Sequence, residues 1–200
     1  MNFIFALLIF TSFTFSKSFL PQSFSAKFEE SFISLASGKE KRSFGSIDYK
    51  YPGQIRFEKT SPDQSLFVSN QKRSWYYVPP FVPGEMGQVT VQKSNKLPLT
   101  KFLDSLNEGI KNSKYFLATD KEKYIELNFK PEYQKEMTIK KVTLVPKGTE
   151  SSTLADFEKL IIEYIDGRVV NLKLIDLKEG PSFNVSHFNF EIPKNTKVGQ

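Results

Sequence analysis

Few groups in this 200-residue chain can make or break a covalent bond. The one histidine, His187, sits in the stretch VSHFNFEIP. A serine hydrolase relay would have to run through it, yet no Gly-x-Ser-x-Gly elbow accompanies it. A structural or surface role is the reading for His187. A hydrolase would betray itself by an activity lost on His187→Ala. Cysteine is absent, which removes disulfides, zinc thiolates, a cysteine nucleophile and a lipidated N-terminal cysteine. A single histidine removes His-rich metal sites as well. Glu29 and Glu30 are adjacent, and neighbours on a strand point to opposite faces, so they make no glycosidase pair. Neither a phosphate-binding P-loop nor a Gly-x-Gly-x-x-Gly turn occurs. The expectation is binding without catalysis, with no catalytic residue, cofactor or metal.

The elements that would do the binding show in composition and periodicity. The chain carries 20 Phe, 8 Tyr and 1 Trp, enough aromatic mass to line a cavity as well as fill a core. Net charge is +6 with a pI near 9.3. The lysines are scattered and alternate with apolar residues, as on solvated strand faces, so no nucleic-acid footprint is expected. Phe3 to Phe15, FIFALLIFTSFTF, is uncharged and almost wholly apolar. It is shorter than the roughly 20 residues of a membrane-spanning helix and fits the core of a secretory signal peptide. Residues 1–18 are read as that leader, with cleavage near 16–18, and 19–200 as a single domain.

Most of the remainder alternates with period two, the signal of half-buried strands. Ile47, Tyr49 and Tyr51 alternate with Asp48 and Lys50. Pro52-Gly53 interrupts, then Ile55 and Phe57 alternate with Arg56 and Glu58. Further strands are expected at 65–69, 74–78, 88–93, 124–130, 139–145, 157–165, 169–177 and 187–192. Asp166-Gly167 is the strongest hairpin signal. Residues 23–36 fit a strand through Phe24, Ala26 and Phe28, and equally a helix through Phe24, Phe28, Phe32 and Leu35. One stretch reads as helix: Leu99, Phe102, Leu103, Leu106 and Ile110 form an apolar stripe. The preceding VPPFVPGEMG, 78–87, is apolar for a loop. It reads as a lid over an apolar site or as a loop packed back on the core. These features describe a mainly β (α+β) protein whose long antiparallel sheet tends to curl. A curled sheet with one apolar face can hold a helix or, in its place, a lipid. Each buried CH2 contributes about 0.8 kcal/mol, so a lipid tail in water needs such an enclosure.

The stretch YPGQIRFEKTSPDQSLFVSNQKRSWYYVPP resembles the core motif of the outer-membrane lipoprotein carrier family, LolA. The matching residues are Pro52-Gly53, Ile55-Arg56-Phe57, Pro62 to Gln64, Leu66 to Ser69 and Trp75-Tyr76-Tyr77. In family order, FSAKFEES at 24–31 is similar to the first-strand motif and GQVTV at 87–91 to the Q-V strand. LPLTKFLDSL at 97–106 is similar to the inner helix, YIDGRVVNLKLID at 164–176 to the D-x-x-G hairpin, and FNFEIPKNTKV at 188–198 to the terminal motif. The likeness covers nearly all of 22–198.

That resemblance implies a curled antiparallel sheet forming an incomplete β-barrel closed by a helical lid. It implies a monomeric periplasmic chaperone that binds the acyl chains of triacylated lipoproteins and carries them from inner to outer membrane. Its partners would be an inner-membrane ABC lipoprotein exporter and an outer-membrane acceptor. The alternative on the same fold is a carrier or sensor of free lipid or glycolipid. Anchored relatives carry a lipidated cysteine; this chain resembles the soluble carrier. The expected acyl-chain cavity is Ile47, Tyr49, Ile55, Phe57, Leu66, Val68, Trp75, Tyr77, Val89 and Val91. The expected lid is Phe81, Met86, Leu99, Phe102, Leu103 and Leu106. Tyr51 stands where the family often has an arginine associated with lid closure and handover, and a phenol cannot match a guanidinium's five donors. Tyr51 and Arg56 are therefore the candidates for a lid or transfer switch. The family's N-terminal helix has no room before Phe24 if cleavage falls at 16–18, unless 23–36 takes its place.

Overall fold

The computed structural model describes residues 18–93, 98–149 and 151–199. The expected leader therefore lies outside the described residues except for Ser18. From Ser18 the chain runs directly into the core: Phe19 and Leu20 are buried, and Leu154 N–H donates to the Phe19 carbonyl at 2.9 Å. The ambiguous segment is strand, β1, Ser23–Ile33. Period two prevails over the helical stripe because Phe24, Ala26 and Phe28 all face one buried side, and the chain extends against two neighbours at once.

The strands that follow are β2 (Glu40–Lys50), β3 (Gln54–Ser61), β4 (Ser65–Ser69), β5 (Arg73–Val78) and β6 (Gly87–Lys93). Then come α1 (Pro98–Ser105), β7 (Phe116–Lys121), β8 (Tyr124–Phe129), α2 (Pro131–Met137), β9 (Ile139–Pro146), β10 (Phe157–Tyr164), β11 (Val169–Glu179) and β12 (Thr196–Gly199). One sheet takes in all twelve, in the order β12-β6-β5-β4-β3-β2-β1-β11-β10-β9-β8-β7. Every pairing is antiparallel except β12 with β6. β7 and β12 stand at opposite edges, so the sheet curls without closing, as an incomplete barrel should.

Three local outcomes differ from the periodicity. α1 is shorter than its apolar stripe: it tightens into a 3-10 turn over Leu106–Glu108 and stops at Gly109, whose φ of 89° leaves the helical region. α2 begins on Pro131, a residue pre-set for the first helical position. Residues 187–192 are not a strand. They belong to a strap, 181–195, that crosses the sheet, with turns closed by His187 N–H to Asn184 O and Asn189 N–H to Ser186 O. The alternation there arises because Phe188 and Phe190 face inward to the protein, without any strand partner.

Candidate functional site

Pairing registers decide which side chains share a face. Phe24 opposes Tyr49, Ala26 opposes Ile47, Tyr49 opposes Ile55, and Ile47 opposes Phe57. These side chains lie on the inner, concave face. Phe57 in turn opposes Phe67. On the far side of β1 the same face continues through Leu172, Leu160, Leu144, Val142 and Leu127. All belong to one apolar core except Phe57 and Phe67, which pack against it half-buried. Gly45 is what lets this wall bend tightly. A Cβ there would lie 1.9 Å from the Glu58 carbonyl oxygen and 2.7 Å from the Phe28 ring. Without one, Phe28 stacks on Phe57 with centroids 4.2 Å apart.

α1 fills the concavity. Phe102, Leu103 and Leu106 are buried in the same core, and Leu99 and Ile110 pack at its margin. Phe102 meets Phe129 with ring centroids 6.1 Å apart. One polar side chain fastens the helix to the β2–β3 turn: Asp104. Its Oδ1 accepts from the Tyr49 hydroxyl at 2.6 Å and from the Gly53 N–H at 3.0 Å. Burial, followed by the Asp104 carboxylate, raises the Tyr49 pKa well above the ordinary phenol value. Tyr49 thus stays a hydrogen-bond donor throughout the physiological range. At the other side Lys101 Nζ pairs with Glu136 of α2.

The expected site residues fall into three places. Ile47, Tyr49, Ile55 and Phe57 form the inner wall beneath α1. Leu66, Val68, Trp75, Tyr77, Val89 and Val91 lie on the opposite face, because Leu66 opposes Glu58 and Val68 opposes Arg56. They form a second apolar cluster covered by Phe190 of the strap. Of the expected lid, Leu99, Phe102, Leu103 and Leu106 are together on α1 and its 3-10 extension. Phe81 and Met86 are not with them: they stand in solvent on the β5–β6 loop. Arg56 points to the outer face and lies 3.7 Å from Glu58. Tyr51 packs half-buried against the core, and its N–H donates to the Gln22 carbonyl at 2.8 Å. The polar fastening of the helix runs through Tyr49 and Asp104, two residues that alternation and the helical stripe treat as wall and solvent face. The spacing of Asp104 from the apolar positions gave no hint of a partner 55 residues away.

The outer cover is fastened at several points. His187 Nε2 lies 2.8 Å from Asp48 Oδ2, and Phe183 stacks on the imidazole at 4.6 Å. Asn70 donates to Asn189 at 2.7 Å. The Phe190 ring meets Tyr77 at 5.1 Å, and Gly87 N–H donates to the Asn195 carbonyl. His187 thus serves as a clasp. Beyond α1 the inner face stays open: Phe67, Ser74, Tyr76, Thr90 and Gln92 line a cavity of about 350 Å³. Among the described residues no group of three or more His, Cys, Asp or Glu is arranged to hold a metal, and no helix is long and apolar enough to cross a membrane.

Comparison with known proteins places the chain in a family. The profile of the family described as outer membrane lipoprotein carrier protein LolA matches residues 21–191. The chain belongs to the LolA family. An outer-membrane lipoprotein carrier protein from Azotobacter vinelandii is 24% identical, over 90% of this chain and 82% of its own length. One from Legionella pneumophila is 24% identical, over 88% and 83%. A solved LolA superfamily protein from Nitrosomonas europaea superposes with a TM-score of 0.46 at 14% identity, over 85% of this chain and 91% of that one. LolA proteins are lipoprotein carriers and chaperones of outer-membrane biogenesis.

Proposed function

We propose that this protein is a periplasmic lipoprotein chaperone whose α1 is exchanged for the acyl chains of its cargo. The inner wall of Ile47, Tyr49, Ile55 and Phe57 then holds lipid where it now holds Phe102, Leu103 and Leu106. The observation that carries this reading is the way α1 is seated. Its apolar stripe occupies a concavity that the sheet builds without it, and a single carboxylate fastens it to the β2–β3 turn. Burying three such side chains contributes about 5–9 kcal/mol. A single sixteen-carbon chain contributes about 12 kcal/mol at about 0.8 kcal/mol per CH2. Acyl chains therefore outcompete the helix, and the change is a shift between two seatings of one wall.

On this reading residues 1–18 direct export and are removed. The cargo is received from an inner-membrane ABC exporter, crosses the periplasm, and passes to an outer-membrane acceptor. Tyr49–Asp104 does in this chain what the family's arginine is associated with elsewhere. It holds the helix down without charge on the wall side, and Tyr51 and Arg56 stand outside that contact.

The test is mass spectrometry of the protein purified from periplasm without detergent, applied to organic extracts and tryptic peptides. Acylated N-terminal cysteine peptides in stoichiometric amount are expected. Phospholipid or glycolipid without such peptides would move the assignment to a carrier of free lipid.

A further inference from the structure

The antiparallel order places the β1–β2, β3–β4, β5–β6, β8–β9 and β10–β11 connections at one end of the sheet. Three of these five connections expose large apolar side chains. Leu35 is 81% exposed and Ile33 59% at the β1–β2 hairpin, and Ile165 is 52% exposed at the β10–β11 turn. On the β5–β6 loop Phe81 is 91% exposed and Met86 57%. Toward the opposite end, the large apolar residues so exposed at strand ends and connections among the described residues are Tyr124, at the start of β8, and Val185, in the strap. Isolated exposed apolar residues are ordinary; their gathering at one end, on separate loops, is not.

We propose that this end of the sheet docks on the surface of a lipid bilayer, with Phe81 and Leu35 as the inserting tips. The β5–β6 loop holds its shape outside the core. Pro79, Pro80 and Pro83 restrict its backbone. Glu85 N–H donates to Val82 O at 3.1 Å, and Gly87 N–H is fixed by Asn195 O at 2.9 Å. Phe81 is thus held in water by a constrained loop. The tips are spread out: three strand steps separate β2 from β5, about 14 Å at about 4.8 Å each. A folded protein partner would need separate pockets at matching distances, whereas a fluid headgroup layer receives spaced tips anywhere.

Charge at this end suits an anionic surface. Arg42 is bonded to Glu40 and Arg168 to Asp166. Lys39, Lys41, Lys194 and Lys197 are exposed around the tips, against Asp63 and Glu85. Each lysine near an anionic membrane adds about 1 kcal/mol. The docking does not depend on what the concave face carries, so cargo-free protein shows it.

Co-sedimentation of the full protein with vesicles tests it. Wild type partitions onto phosphatidylethanolamine–phosphatidylglycerol vesicles and less onto phosphatidylcholine alone. Phe81→Ser combined with Leu35→Ser lowers the partition coefficient about tenfold or more, with an unchanged melting temperature. All variants share one N-terminus, so the loss reports the loops. Tyr124→Ser, at the other end, leaves partitioning unchanged. The proposal is overturned if wild type stays in solution, or if the double variant partitions equally. It is also overturned if Tyr124→Ser reduces binding as much, or if the tips instead drive self-association without vesicles.

Discussion

Each face of the sheet carries an apolar cluster under a cover, the inner one around β1–β3 and the outer one across β4–β6, and the covers differ in kind. On the inner face the cover is α1, a short amphipathic helix seated by Phe102, Leu103 and Leu106 and fastened to the sheet by Asp104. On the outer face it is the strap 181–195. The strap is continuous with β11 at one end and with β12 at the other, and is fastened along its length by His187, Asn189 and Phe190. α1 also lies between two strands in the chain, β6 and β7, so what separates the covers is their fastening: several contacts along the strap, against Asp104 and the Lys101–Glu136 pair for α1. On the proposed function, that difference assigns ligand exchange to the inner face.

Substitutions should separate the two covers. The largest effect is expected from Leu103→Asp, which puts a charge into the inner core. The closed form should lose about 3–5 kcal/mol, and cargo retention should rise because the helix no longer competes well for the apolar wall. Unchanged retention would remove α1 from the lid. Phe190→Ala should cost about 2 kcal/mol of global stability in denaturant unfolding, below the loss for a fully buried ring. It should leave acyl binding intact; weakened binding would mean that the outer face also exchanges ligand. Asp104→Ala should cost about 1–2 kcal/mol through the unpaired Tyr49 hydroxyl and Gly53 N–H. Because that cost falls on the closed form alone, an acyl-chain probe should bind roughly five- to thirtyfold more tightly. The sign is the sharp part: weaker binding would make Asp104 a cargo contact instead of a latch. Alkaline pH alone should not release this latch until well above the ordinary tyrosine pKa of about 10. Tyr49 has its pKa raised in the fold, so its contribution is complete below the unfolded value and is lost only as pH rises through the folded one.

Strand alternation made the sheet and the α1 stripe legible, and β4 runs Ser65–Ser69 where the periodicity puts it. What alternation could not convey was phase. Ile55 and Phe57 look outwardly like Leu66 and Val68, yet the turn at Pro62–Gln64 sets Glu58 against Leu66, and the second pair faces away from the first. A side-chain period of two says that a strand has an apolar face but not which face of the sheet it is. Phe67 was the available signal. It is an aromatic residue in the polar phase of β4, and it lies opposite Phe57 on the inner face. The strap eluded the pattern for the same reason, since FNF alternates whether it pairs or merely rests on a sheet. The latch was illegible because Asp104 reads as solvent-facing until the β2–β3 turn brings Gly53 N–H and the Tyr49 hydroxyl to it.

Amide hydrogen exchange, read segment by segment with and without a triacylated lipopeptide, tests the exchange of α1 for lipid most directly. Protection over 98–108 should fall when lipopeptide is bound, while 181–195 and its partners β4 to β6 keep theirs. Unchanged protection over 98–108 on a lipopeptide-saturated protein, or loss of protection in the strap instead, would contradict the assignment of the inner face as the site.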